Sequence, residues 1–350
     1  MFEFNDTDLI FETSWSSLSA QSRFDVELKS SWSDKEQYEL FRYKYQVERF
    51  VRMPGKFGFL AVLNTNRGTK RRVPIQFHSV MEPFNDEDFN FTKVDSREFL
   101  FGLRYNKNSA TDTDRVASDQ SFTDDVLAIN ASPLGDFHSL ILPKMSSKLP
   151  QSINEHSLRL ALQIILLSAS PAIRIGFNSL CAFASVNHLH LHLYYLPHKM
   201  YLESCDLEHL SGPCYKIKEY PANGFVFILR CDDKLSSFVE KVFVLIYHLQ
   251  NYNIPHNIYI TRGIDHKISN IADDKRNCIR IYVWARNPSG YKEMDKFTPA
   301  ICELFGHLVI KDQAEFDSFT EENISKILKD VTQSTFTSIL NNIKTLYLNL

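Results

Sequence analysis

The chain reads Asn-His-Leu-His-Leu-His-Leu-Tyr-Tyr at residues 187–195, a run in which histidine and leucine alternate. Successive side chains on a β-strand point to opposite faces, so His188, His190 and His192 would share one face and the leucines the other. A single histidine on an apolar strand is usually a core residue, but three on one face would bury six ring nitrogens that each need a partner. The run therefore predicts a strand that aims three imidazoles at one functional site.

Two kinds of chemistry fit such a row of histidines. Neutral imidazole is a common zinc ligand, so the row could hold a metal ion in a metalloenzyme. Alternatively, the middle imidazole attacks phosphorus while its neighbours handle the phosphate and the leaving group. The spacing alone leaves both open.

Small polar residues precede the histidine row at 176–179 and at 184–185, and residues 130–144 are typical of a strand that ends in an Ile-Leu-Pro-Lys turn. In this order the features resemble the histidine-triad superfamily of nucleotidyl hydrolases and transferases, in which such a strand leads to a helix and then to the triad strand. The resemblance favours phosphorus chemistry over a zinc site.

Further segments narrow the resemblance to one family. They lie at 22–25, 54–59, 89–93, 257–263, 283–289 and 302–307, so that the likeness covers roughly residues 20 to 330. Together they resemble the GDP-D-glucose phosphorylases of animals, a family related to plant GDP-L-galactose phosphorylases and to galactose-1-phosphate uridylyltransferases. The resemblance implies an α+β fold of two histidine-triad-like halves with antiparallel sheets and packed helices. Residues 1–200 would form the half that carries the triad, with an N-terminal extension, and residues 201–350 the half without it.

The same resemblance implies roles for the three histidines. His190 corresponds to the nucleophile, which would attack the α-phosphorus of GDP-glucose, release glucose 1-phosphate and hold GMP covalently until inorganic phosphate removes it as GDP. His192 would donate a hydrogen bond to the phosphate oxygens, and His188 would orient the row. This scheme needs no cofactor and no metal.

Three other functions stay open. The uridylyltransferases and the plant enzymes carry glutamine where His192 stands, whereas histidine there is usual in hydrolases of the superfamily. A GDP-sugar hydrolase that releases GMP is therefore one alternative. A zinc-dependent hydrolase that uses the row as ligands is the second, and a nucleotide-sugar-binding regulator without catalysis is the third.

Three polar residues match substrate-binding positions of the superfamily. Ser185 corresponds to the serine just before the triad, whose hydroxyl and N–H contact the α-phosphate. Asn130 stands where the superfamily commonly has an aspartate on the ribose hydroxyls, and an amide can make similar bonds. Asn178 corresponds to the asparagine upstream of the triad. Phe183 departs from the glycine that small members carry two residues before the serine.

Lys93, Arg67 and Lys56 are candidate partners for the diphosphate or for free phosphate. An enzyme that binds a GDP-sugar together with phosphate must offset several negative charges. Arg67 also opens the basic run at 67–72, but so short a run is more often a solvated or phosphate-facing loop than a nucleic-acid surface. We therefore expect GDP-glucose and inorganic phosphate as partners, and no nucleic acid.

Composition agrees with an intracellular enzyme. At 350 residues, 44% of them hydrophobic, the chain is long enough for a sizeable core or for two domains. Its six cysteines show no Cys-x-x-Cys pairing, which argues against a zinc ribbon and against a disulfide framework. No leader sequence, no apolar run long enough to cross a bilayer and no glycine-rich phosphate loop is evident. The sequence predicts a cytoplasmic protein without membrane contact, and the uridylyltransferase resemblance is compatible with a homodimer.

Hydrophobic spacing predicts the main helices. Apolar residues at helical spacing favour amphipathic helices at 154–168 and at 235–249, and Thr320 is placed to cap the final helix. A run rich in Glu, Lys and Tyr predicts a helix at 33–48 that opens at Ser33. The polar residues at 106–123 predict a surface loop.

Overall fold

The computed structural model describes residues 1–70, 75–106, 124–265, 272–289 and 297–348. The polar loop predicted at 106–123 lies outside the described residues from 107 onward. Arg71 and Arg72 of the basic run lie outside them as well.

The described ranges contain both strands and helices, and several strands follow one another directly along the chain. Their sixteen strands are β1 (Phe2–Phe4), β2 (Thr13–Ser14), β3 (Arg49–Arg52), β4 (Leu60–Leu63), β5 (Phe99–Tyr105), β6 (Val126–Ile129), β7 (Asp136–Leu142), β8 (Ile173–Asn178), β9 (Leu191–Tyr195), β10 (Leu207–Ser211), β11 (Cys214–Ile217), β12 (Phe225–Leu229), β13 (His256–Gly263), β14 (Lys275–Arg276), β15 (Cys278–Ala285) and β16 (His307–Ile310). Their seven α-helices are α1 (Arg23–Lys35), α2 (Thr65–Thr69), α3 (Glu155–Leu167), α4 (Leu235–Asn251), α5 (Ile301–Leu304), α6 (Gln313–Ser318) and α7 (Glu321–Leu346). Because most strand pairs are antiparallel, the predicted α+β class is confirmed.

An eleven-stranded sheet runs through the described chain in the order β1-β5-β6-β7-β9-β8-β13-β15-β12-β11-β10. At its centre, β8 pairs antiparallel with β9 on one side and with β13 on the other. The sheet is thus continuous between the N-terminal and C-terminal parts of the chain. The division into halves at residue 200 stays a prediction.

The two faces of this sheet carry different layers. On one face, the leucines of the histidine run pack in a large apolar core with α3 and α4. On the opposite face, a second core joins Tyr259, Tyr282 and Trp284 of the sheet to a three-stranded sheet of order β16-β4-β3 and to α5. The imidazole of His192 points to the face with the second core, because its neighbours Leu191 and Leu193 point into the first core on the other face.

A glycine in β8 sets how closely α5 approaches the main sheet. Gly176 is the register partner of His192, and a Cβ at Gly176 would stand 2.9 Å from Ile301 Cγ1. Any larger residue would push away Ile301, the first residue of α5. The missing side chain therefore lets α5 lie directly beside the histidine.

The helix predicted at 33–48 is wrong, whereas the later helix predictions are confirmed. α1 begins ten residues earlier, because Ser22 and Asp25 form a capping box in which each side chain accepts a hydrogen bond from the other residue's backbone N–H. Its apolar stripe ends after Trp32, so the helix stops at Lys35. The helices at 154–168 and 235–249 appear as α3 and α4, and Thr320 caps α7 through Asn323 N–H.

Candidate active site

The histidine row does not lie in a regular strand over its whole length. β9 begins only at Leu191, so His192 belongs to it, whereas His188 lies in a bend and His190 in irregular backbone before the strand. The physical reason is the side chain of Gln151, which takes the place of a neighbouring strand. Its Oε1 accepts the His190 N–H at 2.8 Å, and its Nε2 donates to the His190 carbonyl at 3.1 Å.

His190 is held in the tautomer that a nucleophile needs. Its Nδ1 lies 2.7 Å from the His188 carbonyl oxygen and therefore carries the proton that it donates there. The lone pair is then on Nε2, for which no hydrogen-bond partner is found among the residues that the structure describes. Burial lowers the His190 pKa to about 4, so the ring is neutral at pH 7.

A hydrogen bond from His138 holds His192 in the opposite tautomer. His138 was not among the residues predicted from the sequence. The Leu134 N–H donates to His138 Nδ1 at 3.1 Å, which leaves the His138 proton on Nε2. That nitrogen lies 3.1 Å from His192 Nδ1 and 3.1 Å from Asn130 Nδ2. Because an amide nitrogen accepts no hydrogen bond, the proton goes to His192 Nδ1. His192 therefore carries its own proton on Nε2 and is a donor on that side.

A β-bulge brings His138 to this position. Between the register pairs Asp136–Tyr195 and Ser139–Leu193, two residues of β7 oppose one residue of β9. Phe137 lies in the bulge, and its φ of +54° is in the left-handed region that residues other than glycine seldom adopt. The bulge places the His138 ring 5.3 Å from the His192 ring and fully buried, and burial keeps its pKa well below the usual value.

His188 is turned away from the other two rings and is satisfied by the backbone. Its Nδ1 accepts the Phe91 N–H at 3.1 Å, and its Nε2 lies 3.0 Å from the Met145 carbonyl oxygen, to which it donates. Both nitrogens are thus used, which is compatible with the orienting role predicted for it. The three imidazoles do not converge on one point, and no group of three or more His, Cys, Asp or Glu side chains in the described ranges is arranged to hold a metal ion.

The loop before the histidine row has a left-handed backbone conformation, although it lacks the glycine that small members of the superfamily carry there. Cys181 and Phe183 have φ values of +58° and +73°, and the Arg286 guanidinium stands 4.8 Å from the centre of the Phe183 ring. The packing of this ring against a buried arginine stabilises a conformation that glycine would adopt without strain. Ser185 follows the turn and lines the cleft, and its hydroxyl makes no hydrogen bond to the described part of the chain.

The two asparagines predicted to bind substrate also line the cleft, but they are held differently. Asn178 Oδ1 accepts from Asn257 Nδ2 at 2.7 Å and from Ile301 N–H at 2.9 Å, so its NH₂ group is left to donate. Asn130 Oδ1 accepts the Ser132 N–H at 2.9 Å in a turn at the end of β6. The oxygen of each amide is therefore occupied.

Arginine and lysine side chains from distant parts of the sequence meet at the polar rim of the cleft. Arg67 Nη1 donates to the Ser132 carbonyl at 2.6 Å, and Lys311, which follows β16, lies beside Gly68. The structure does not bring Lys93 to the cleft, since its ammonium donates to backbone carbonyls of residues 86–88. Lys56 is likewise elsewhere, in an exposed ion pair with Glu219.

Several of these groups line one cleft that is open to solvent. Its lining includes His190, His192, Ser185, Asn178, Asn130, Arg67, Lys311 and a set of apolar side chains. A nucleophilic imidazole and a hydrogen-bond-donating imidazole therefore face the same space, with their ring centres 5.4 Å apart. Such a pair can attack a phosphorus atom and stabilise the oxygens around it.

Three groups of this site were not found from the sequence. His138 lies in the segment 130–144, yet no local sequence pattern predicts its contact with His192 across a bulge. Gln151 and Lys311 have no local signal at all, because each reaches the site through a long-range contact.

None of the helices in the described ranges is both long and apolar enough to cross a membrane.

Comparisons with known proteins identify the family and the fold. Sequence profiles of the GDPGP1-like family match the chain in two parts, the N-terminal domain over residues 23–194 and the C-terminal domain over residues 204–348. GDP-D-glucose phosphorylase 1 of Danio rerio is 36% identical over 336 residues, which cover 94% of this chain and 93% of that protein. GDP-L-galactose phosphorylase 2 of Arabidopsis thaliana is 31% identical over 320 residues, covering 87% of this chain and 71% of that protein. The crystal structure of yeast Ap4A phosphorylase Apa2 in complex with Ap4A superimposes on 89% of this chain and 97% of its own with a TM-score of 0.61, and at 11% identity this likeness shows the fold.

Proposed function

This chain belongs to the GDPGP1-like family, and we propose that it is a GDP-D-glucose phosphorylase. The enzyme converts GDP-glucose and inorganic phosphate to glucose 1-phosphate and GDP. The observation that carries the proposal is the pair of cleft histidines, one with a lone pair and one with a proton on Nε2. GDP-glucose is proposed over GDP-L-galactose because the relative named for it is the more similar, at 36% against 31% identity.

In the first half-reaction, His190 Nε2 attacks the α-phosphorus of GDP-glucose. The bond from this phosphorus to the bridging oxygen breaks, glucose 1-phosphate leaves with the electron pair, and GMP stays bound to His190. The low pKa of His190 supports this step, because the ring needs no deprotonation before it attacks. His192 Nε2–H donates to the phosphate oxygens, where negative charge builds up in the transition state.

In the second half-reaction, an oxygen of inorganic phosphate attacks the same phosphorus from the side that the sugar phosphate vacated. The bond to His190 Nε2 breaks, and GDP is released. Because leaving group and acceptor use the same side, one phosphate subsite serves both. Arg67 and Lys311 on the rim are suited to offset its charge.

A GDP-sugar hydrolase is the second candidate, because the third residue of the row is a histidine. Water would then replace phosphate in the second half-reaction and GMP would be the product. Turnover of GDP-glucose with and without added phosphate separates the two. A phosphorylase needs phosphate and forms GDP, whereas a hydrolase forms GMP and is indifferent to phosphate.

Replacement of the nucleophile tests the proposal. We expect His190→Ala to lower phosphate-dependent release of glucose 1-phosphate from GDP-glucose by about a thousandfold or more. The matched control is His209→Ala, because His209 is exposed on β10, donates to the Gly212 carbonyl and lies outside the cleft. Intact-protein mass measurements without phosphate should detect a guanylate adduct on the wild type and on the control but none on the variant. Activity retained by His190→Ala would exclude the covalent scheme.

The cytoplasmic location, a homodimer, and the lack of nucleic-acid and membrane partners stay predictions from the sequence. None of them enters the mechanism. The preferred hexose is tested directly by a panel of GDP-hexoses assayed with phosphate present.

A further inference from the structure

One wall of the cleft is an apolar slot that begins at the nucleophile. The slot is lined by Phe89, Phe91, Val94, Ala128, Leu140 and Val186. The Phe91 ring stands 5.0 Å from the ring of His190, so the slot adjoins the position of the α-phosphorus. An aromatic base attached through ribose to that phosphorus would bury its faces against these side chains.

A carboxylate lies at the strand end that borders this slot. Glu98 lines the same cleft and ends the short turn Ser96–Glu98 before β5. Since Phe99 is the register partner of Ala128, Glu98 comes beside the end of β6, next to the turn that contains Asn130. Among the described lining residues the other acidic one is Glu303 of α5, whose carboxylate accepts the Ala300 N–H at 2.9 Å.

We infer that Glu98 is the specificity-determining residue that recognises guanine, an inference that rests on the proposed function. The Watson–Crick edge of guanine carries two adjacent donors, N1–H and the 2-amino group. A carboxylate matches them with two acceptor oxygens, and its four lone-pair sites leave room for other partners. Adenine has a hydrogen-bond acceptor at N1, so the lone pair on N1 would repel the lone pairs of the carboxylate. Hypoxanthine keeps N1–H but lacks the second donor.

The chemistry predicts a change in base preference and not merely a loss of activity. Glutamine in place of Glu98 keeps the size of the side chain but turns one acceptor into an NH₂ donor. That donor opposes the 2-amino group of guanine and suits N1 of adenine. A residue that only supports the fold would weaken the binding of all bases equally, so the ratio between bases is the informative quantity.

The experiment compares GDP-glucose, IDP-glucose and ADP-glucose as substrates, with phosphate, for the wild type and for Glu98→Gln. We expect kcat/KM of the wild type to favour GDP-glucose over IDP-glucose roughly ten- to hundredfold, as for a lost charged hydrogen bond. In Glu98→Gln the ratio of GDP-glucose to ADP-glucose should fall at least about tenfold. Asp95→Asn is the matched control, because Asp95 flanks the same turn, pairs with Arg97 and does not line the cleft.

Titration with GMP, IMP and AMP gives a second measurement that needs no turnover. We expect the wild type to bind GMP more tightly than IMP, and IMP more tightly than AMP. Loss of this order in Glu98→Gln but not in Asp95→Asn would support the inference. Base ratios that are unchanged in Glu98→Gln would overturn it while leaving the phosphorylase function intact. If the wild type binds GMP selectively and only Glu98→Gln loses this selectivity, but GDP-glucose is not turned over, the proposed function fails and the assignment of Glu98 stands.

Discussion

Two neighbouring histidines of the cleft differ in what they offer to substrate because their other ring nitrogens have different partners. His190 donates through Nδ1 to a carbonyl, so its Nε2 has a lone pair. His192 accepts at Nδ1 from His138, so its Nε2 has a proton. The same residue type thus supplies a nucleophile and a donor without any change of charge. The partners that make this difference are a backbone carbonyl and a second histidine.

The pH dependence of the first half-reaction follows from the burial of His190. Its free base is required, and because burial lowers the pKa to about 4, protonation should inactivate the enzyme only near that pH. We expect the single-turnover rate of guanylylation by GDP-glucose to change little between pH 7 and pH 5. With a histidine of ordinary pKa the rate would fall about twenty-fivefold over that range, in proportion to the neutral fraction of the ring.

Measuring guanylylation without phosphate keeps the titration of free phosphate out of the result. Circular dichroism at each pH verifies that the protein stays folded. A fall of tenfold or more with a midpoint near pH 6.5 would contradict the buried, neutral nucleophile.

At the scale of elements, the small sheet assembles the rim of the cleft. β4 and β16 are parallel neighbours, with His307 opposite Leu60 and Ile310 opposite Leu63. Each strand runs out of the sheet at the same end, so the segment that carries Arg67 and the residue Lys311 emerge together. More than two hundred residues separate them in sequence. Parallel pairing, rather than a local motif, therefore concentrates positive charge there.

Replacement of Lys311 should weaken the shared phosphate subsite. We expect Lys311→Met to raise KM for inorganic phosphate and for GDP-glucose by about tenfold each, as for the loss of a charged contact. The affinity for GMP, which has no β-phosphate, should stay within about twofold of the wild type. Lys329→Met on α7 is the matched control, since Lys329 is exposed and does not line the cleft. Steady-state kinetics over a range of phosphate concentrations would count against this role if KM for phosphate were that of the wild type.

At the scale of the whole molecule, a buried ionic cluster ties separate segments of the chain together. Glu203 is fully buried and accepts from Arg174 of β8 at 2.5 Å and from Arg276 of β14 at 2.7 Å. It also accepts from the Trp15 indole N–H at 3.1 Å and from the Met200 N–H at 3.0 Å. The N-terminal segment, the central strand and the C-terminal part therefore meet at one carboxylate.

Removal of this carboxylate's charge should destabilise the whole fold. Glu203→Gln leaves two buried guanidinium groups without an anion, and breaking a buried pair in this way costs about 3–5 kcal/mol. The free energy of unfolding, measured by urea denaturation, is expected to fall by that amount. The control is Glu208→Gln, because Glu208 pairs with Lys216 at the surface and is 56% exposed, so its loss should cost less than about 1 kcal/mol. Equal stability of the two variants would show that the cluster contributes little.

Local periodicity determined several elements of this protein from the sequence alone. The apolar spacing of α3 and α4 and the capping position of Thr320 were sufficient because helices form from contacts three and four residues apart. The helix predicted at 33–48 failed for a related reason, since the capping signal at Ser22 and Asp25 outweighed a run of good helix formers. The alternation of the histidine row also identified which three imidazoles to consider.

Only the tertiary structure decided what each imidazole is able to do. The His138 side chain that sets the tautomer of His192 is 54 residues away, and the Gln151 amide that replaces a strand beside His190 is 39 residues away. Lys311 reaches the cleft through a parallel strand pair, and Glu98 through the register of β5 with β6. A sequence pattern reports the spacing of side chains along one element. Hydrogen-bond partners, burial and strand register depend on which distant elements meet, and that is settled by the packing of the whole chain.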